Sequence, residues 1–202
     1  MAIVLDHRDF GVQAAQRHPA LHGLKRLARG AFCSVYDRGD TVLKLTCDQV
    51  QYWMSTDGYR PEGPFFPRLV KDHGNVGTTK DGLDIYLMEM EKLTAIGRSA
   101  PIDVKRLRRD LLSQTNKHVH AGARTPQAMR MESYVGLGKI IDQSALAPGL
   151  IDALERLRDW ISNYDASCDF HAKNLMMRGD QLVLNDVVCD PKAVVNILYA
   201  DW

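Results

Sequence analysis

The sequence predicts an α+β fold, with a strand-rich first half and a helix-rich second half. Three observations carry that reading. Residues 24–45 hold three short apolar or β-branched runs separated by turn-forming residues around Gly30 and Gly39. Residues 104–112 and 150–161 place apolar side chains at helical spacing. Near the C-terminus two apolar runs flank Arg178-Gly179-Asp180-Gln181, the pattern of a tight hairpin.

Composition narrows the function classes. At 202 residues the chain is one ordinary domain or two small lobes, long enough to bury a core. Apolar and charged fractions of 45% and 25% exclude a wholly disordered chain. A net charge of +1 exerts no overall pull on nucleic acid or anionic membrane, which argues against both partners. No apolar run approaches the length of about 20 residues that a bilayer requires. The N-terminus reaches Asp6 without the pattern of a secretory signal, so a cytoplasmic location is expected. Cys33, Cys47, Cys168 and Cys189 are scattered without a CxxC pair and read as reduced thiols.

The first twenty residues show no clear period, with room for a short helix around Phe10–Arg17. Strands follow at 24–28, 32–36 and 41–45. Asp48 is placed to cap a short helix containing Val50, Trp53 and Met54. Pro61, Gly63, Pro64 and Pro67 make a loop. Two more strands read at 68–71 and 84–90, with turn-like residues at His73–Gly77 and Lys80–Gly82 between them. Residues 21–92 are thus expected to form a five-stranded sheet with one helix. Val104, Leu107, Leu111 and Leu112 mark a helix, and His118–Ser133 reads as irregular. Pro148 opens a further helix with Leu150, Ile151, Leu154, Leu157, Trp160 and Ile161 on one side. Trp53 and Trp160 are expected in the core.

Two constellations carry chemistry. The first is the small-residue hairpin Ala28-Arg29-Gly30-Ala31-Phe32-Cys33-Ser34-Val35 with Lys44 on the neighbouring strand. Such a hairpin lets backbone N–H groups approach phosphate oxygens, and the lysine neutralises them. The second is Asp169-Phe170-His171-Ala172-Lys173-Asn174 with Asp186 beyond it. Asp169 is placed in a loop to accept a proton from an attacking hydroxyl. Antiparallel pairing brings Asn174 and Asp186 to one exposed hairpin edge, where two hard oxygen ligands suit magnesium. A solvated loop fits His118 and His120 better than a metal pair, because no third ligand is near. A solvated face likewise fits Lys105–Arg109 better than an acidic or nucleic-acid partner.

The order of hairpin, strand lysine, small helix, strand ending in Met88-Glu89-Met90, helices, D-x-x-x-x-N, hairpin and final Asp resembles the protein-kinase-like superfamily. Asp169-Phe170-His171 with Asn174 is similar to the loop of aminoglycoside phosphotransferases, with histidine where lysine is usual. The D-x-H-x-x-N run, short hairpin and Asp186 most resemble the small early serine/threonine protein kinases of lytic podophages. The resemblance implies a two-lobed kinase-like fold, with residues 1–20 an N-terminal extension. Residues 21–92 would form the N-lobe and 93–202 a reduced, mostly helical C-lobe. It implies ATP and Mg2+ as cofactors and host proteins as phosphoryl acceptors. Lys44 would contact the α/β-phosphates beside Gly30, Ala31 and Val35, and Met88 would be the gatekeeper. Glu89 and Met90 would meet adenine through their backbone. Asp169 would be the catalytic base with His171 beside it, and Asn174 and Asp186 the magnesium ligands. Ala28 and Cys33 replace two glycines of the family pattern, and no glutamate follows Lys44 on the small helix. Two other readings stand beside it: a pseudokinase-like module that binds a host protein without turnover, and a small-molecule phosphotransferase. The oligomeric state is open.

Overall fold

The computed structural model describes residues 3–5, 13–14, 17–119, 125–143 and 146–198. The fold is mixed α+β, as expected, and divides into two compact units. The first comprises Met1–Thr56 and Arg68–Lys92, the second Asp57–Pro67 and Leu93–Trp202.

In the first unit, β2 (Arg26–Arg29), β3 (Cys33–Asp37), β4 (Thr41–Thr46), β5 (Leu69–Thr79) and β6 (Asp84–Glu91) pair antiparallel. The sheet order is β1-β5-β6-β4-β3-β2. The extra edge strand β1 (Ile3–Leu5) comes from the expected N-terminal extension and lies parallel to β5, Ile3 opposite Gly77. Period-2 alternation sends Tyr36, Leu43, Leu45, Ile85 and Leu87 to one face, where each is buried. The opposite face carries Lys44, Thr46, Tyr86 and Met88 and is covered by helix α1 (Gln49–Thr56). Tyr52 of that helix stacks on Tyr86, ring centroids 3.9 Å apart. Asp48 caps α1, its Oδ1 accepting the Gln51 N–H at 3.1 Å.

The turn signals at His73–Gly77 do not end a strand. Asp72 Oδ1 accepts the Gly74 N–H at 2.8 Å, and Asn75 Oδ1 accepts the Gly77 N–H at 2.9 Å. These local bonds, with Gly74 at φ +73°, produce register shifts inside a continuous β5.

In the second unit, helices α2 (Ile102–His118), α3 (Pro126–Gln143), α4 (Pro148–Asn163) and α5 (Pro191–Leu198) accompany two small sheets. One sheet joins β7 (Thr94–Ala95), β9 (Leu175–Arg178) and β10 (Gln181–Leu184). The other pairs β8 (Ser167–Cys168) with β11 (Val188–Cys189). The core includes Leu111, Leu137, Ile140, Leu150, Leu154, Leu157 and Trp160. Trp53 is only half-buried, whereas Trp202 and His120 lie outside the described residues. Of the expected Phe10–Arg17 helix, Gln13, Ala14 and Arg17 are described, and all three are helical. The loop at 57–67 is built into this unit: Arg178 donates to the carbonyls of Pro64 and Phe66, and the Leu184 N–H to that of Phe65. The basic residues of α2 are largely spent locally, Arg106 on Asp103, Arg109 on Asp110 and Lys105 on the Arg98 carbonyl.

Helix α3 replaces much of the stretch read as irregular. Its pattern hides it, because Ser133, Leu137 and Ile140 are buried while Met131, Tyr134 and Val135 are exposed. Gly136 allows a close approach: a Cβ there would sit 2.4 Å from the His118 carbonyl oxygen and 2.8 Å from Val119 Cγ2.

Two outcomes follow from this packing. Gly136→Ala sets a methyl against backbone that cannot swing aside, so it should destabilise by about 1–3 kcal/mol. A thermal melt should show a drop of roughly 2–4 °C per kcal/mol. Gly97→Ala, which meets nothing within 4 Å, is the control. An unchanged Gly136→Ala melt would refute the contact. Separately, His18 Nδ1 and His73 Nε2 are buried without a hydrogen-bond partner. Burial holds both imidazoles below their ordinary 6.5; His73's own charge adds to the effect at His18, and that of Lys71 at His73. The folded protein favours the neutral rings, so the unfolded chain takes up protons first as pH falls. Stability is therefore complete above about 6.5 and declines below it. Urea midpoints should fall between about pH 7 and about pH 5, and less steeply in His73→Gln; identical slopes would exclude His73 as a source.

Candidate active site

In the first unit the sheet register aligns the expected nucleotide-site residues. Val35 lies opposite Lys44, and Lys44 opposite Met88. Directly paired residues point to the same face, so Val35, Lys44 and Met88 form one row, with Met90 two residues along. Lys44 is only 3% exposed. Asp48, at the start of α1, caps the helix and is fully buried.

Gly30 and Ala31 form the exposed tip of the β2–β3 hairpin. The Gly30 N–H donates to the Cys33 carbonyl at 2.9 Å and so closes the turn. A Cβ at Gly30 would sit 3.2 Å from Cys33 Sγ, tighter than an ordinary contact. Behind the tip, the Phe32 carbonyl accepts from Cys47 N at 2.9 Å and Thr46 Oγ1 at 3.2 Å, tying the loop to β4.

The expected hinge residues lie within a strand. Met88, Glu89 and Met90 lie inside β6, paired with β4 on one side and β5 on the other. Their backbone groups belong to the ladder, and the strand ends only at Glu91. The Glu89 side chain is also engaged, accepting from Arg38 at 2.9 Å and Thr41 Oγ1 at 2.7 Å.

In the second unit the structure brings Asp169, Asn174 and Asp186 together. Hairpin register sets Leu175 opposite Leu184, and the Asn185 N–H donates to the Asn174 carbonyl at 2.8 Å. Gly179 at φ +55° makes the two-residue turn between these strands. The β8–β11 pair, extended by the Asp169 N–H on the Val187 carbonyl at 2.8 Å, draws the loop and the chain after Asp186 side by side. Asn174 Nδ2 donates to three acceptors: the Asp169 carbonyl (2.9 Å), Asp169 Oδ2 (3.0 Å) and the Asp186 carbonyl (2.7 Å). Asn174 is buried, so it does not sit at an exposed edge; its hydrogen bonds pull it inward.

His171 Nε2 lies 3.6 Å from Asp169 Oδ2, and its Nδ1 accepts the Lys173 N–H at 3.3 Å. The ring proton therefore belongs on Nε2, facing the Asp169 carboxylate. Cys168 is inert beside it, its thiol pushed up to about 12 by burial. None of the four cysteines is bridged. Sequence reasoning missed Ser133 and Ser167, which hold the segment before Asp169; a lone serine in an aperiodic stretch carries no signal.

Asp186 adopts φ +52°, in the left-handed region that glycine prefers. Aspartate is one of the few non-glycine residues that visit this region. Asp186→Gly should leave the melting temperature level or higher while any metal-dependent activity is lost; a clear fall in melting temperature would make Asp186 a structural residue. Asn174→Ala should instead destabilise the unit, because it removes every one of those amide bonds.

No family model matches the chain, and no curated protein matches it. Among solved structures, a thermostable mutant of aminoglycoside phosphotransferase APH(4)-Ia in apo form is 12% identical. That match covers 90% of this chain and 74% of the other, with a TM-score of 0.34. A further mutant in ternary complex with AMP-PNP and hygromycin B is 11% identical, covering 91% and 73%, with a TM-score of 0.33. Aminoglycoside phosphotransferase APH(4)-Ia itself is 13% identical, covering 87% and 71%, with a TM-score of 0.32. Likeness at this level assigns neither family nor substrate.

Proposed function

We propose that the chain is an ATP-dependent phosphotransferase that moves the γ-phosphoryl group to a hydroxyl acceptor. The observation that carries this reading is the hydrogen-bonded unit of Asp169, Asn174 and Asp186, joined through Asn174 Nδ2 at 2.7–3.0 Å. In this reading Asp169, His171 and Lys44 serve three different tasks. Asp169, half-exposed, accepts the proton of the attacking hydroxyl as that oxygen bonds to the γ-phosphorus and the bond to ADP breaks. His171, with its Nε2 proton toward Asp169, keeps the carboxylate oriented. Lys44 neutralises phosphate oxygens from the sheet, and the Gly30–Ala31 tip leaves room for them.

Among the described residues no group of three or more His, Cys, Asp or Glu side chains is arranged to hold a metal ion. The donor set still fits magnesium, which takes few protein ligands and completes its shell with water and phosphate. With Asn174 Nδ2 committed to its acceptors, Oδ1 is the atom for a cation, alongside the Asp186 carboxylate. When bound, the ion supplies charge neutralisation at the phosphates.

The acceptor we favour is a Ser or Thr hydroxyl of a host protein, in a cytoplasmic setting, from the likeness of the D-x-H-x-x-N run to the phage kinases. The test is incubation with γ-labelled ATP, magnesium and a cell lysate. Labelled protein bands support it; label on a small metabolite alone makes the chain a small-molecule phosphotransferase. Asp169→Asn should lower turnover by at least about a hundredfold with little change in ATP affinity. Lys44→Ala should lose ATP affinity in calorimetry. ATP bound by wild type and Asp169→Asn alike, with no transfer by either, would leave a binding module.

A further inference from the structure

Residues Asp165–Cys168 lead directly into Asp169, and helix α3 grips them at successive points. Arg130 forms an ion pair with Asp165, which itself adopts φ +54°. One turn on, Ser133 Oγ donates to the Met129 carbonyl at 2.8 Å. The same oxygen lies 2.9 Å from Ser167 Oγ and accepts the Cys168 N–H at 2.8 Å. Both serines are buried, at 1% and 2% exposure.

A hydroxyl has one hydrogen and two lone pairs. The shortest contacts are all satisfied when Ser133 donates to Met129 and accepts from both Ser167 and Cys168. The Ser133 oxygen is then saturated and its position fixed. The next amide along, that of Asp169, donates the opposite way, to the Val187 carbonyl at 2.8 Å. Consecutive N–H groups are thus held from two sides, one by α3 and one by the chain after Asp186. Only then does the Asp169 side chain meet Asn174.

We propose that Ser133 is a positioning residue for phosphoryl transfer: through the Cys168 amide it sets where the Asp169 carboxylate stands. The inference rests on the phosphotransferase reading above and adds a residue that never touches the substrate. A displaced base costs turnover and leaves nucleotide binding alone, because Asp169 acts mainly in the transition state. A hydroxyl that merely satisfied a buried amide would instead move stability.

The test is steady-state kinetics on the full chain with ATP varied, beside thermal melts. Ser133→Ala should lower kcat by about tenfold to a hundredfold, with KM for ATP changed by less than about twofold. Ser133→Thr, which keeps the hydroxyl, should recover most of kcat. Ser167→Ala removes one donor to Ser133 but spares the Cys168 bond, and should show a smaller loss. If Ser133→Ala does not fold, Ser167→Ala decides, and an unchanged kcat there overturns the proposal. Unchanged kcat in Ser133→Ala, or loss of stability with no specific loss of kcat, also overturns it. An active wild type with insensitive serine variants removes this inference alone. A wild type without transfer removes the phosphotransferase reading and this one with it.

Discussion

Two hydrogens on one amide nitrogen hold the candidate site together. Asn174 Nδ2 serves three oxygens, two from Asp169 and one from Asp186, so one hydrogen is shared between acceptors. Asn174 is buried, so without these bonds its own amide would be stranded away from water. The loop bearing Asp169 therefore has one low-energy placement relative to the strand end bearing Asp186. The left-handed Asp186 is tolerated within that arrangement, its carbonyl being the shortest of the three contacts.

The rest of the second unit makes that arrangement possible. Hairpin register delivers Asn174 and Asp186 from opposite strands, and the β8–β11 pair brings the two connecting segments alongside. Helix α3 adds the hydroxyl of Ser133 beneath the loop, and its own approach to α2 depends on the missing side chain of Gly136. Packing, hydrogen bonding and site geometry are thus parts of one structure, from Gly136 through Ser133 to Asp169.

The first unit solves a different problem, how to bury a lysine. Lys44 sits in a central strand whose other face buries Leu43 and Leu45, on a row with Val35 and Met88. Taking an ammonium out of water is costly unless anionic groups keep it company. The neighbouring polar demands are met locally, Asp48 by capping α1 and Glu89 by Arg38 and Thr41.

Much was legible in the residue order. Alternation placed β3, β4 and β6, because a sheet's period of two survives in sequence whatever packs on it. Apolar spacing placed α2 and α4, and antiparallel pairing alone brought Asn174 beside Asp186. Tertiary structure decided what local pattern misstates. Residues His73–Gly77 read as turns, yet they lie inside β5 as bulges in its pairing with β6. Helix α3 has no apolar stripe, because its buried side includes a serine and a glycine and its open side carries Met131, Tyr134 and Val135. Asn174 reads as an exposed side chain and is buried, and the backbone of Met88–Met90 lies within a ladder. For Gly136 and for the Met88–Met90 backbone the deciding partners, His118 and β4, lie outside the local segment. Local composition holds no record of contacts made across such separations.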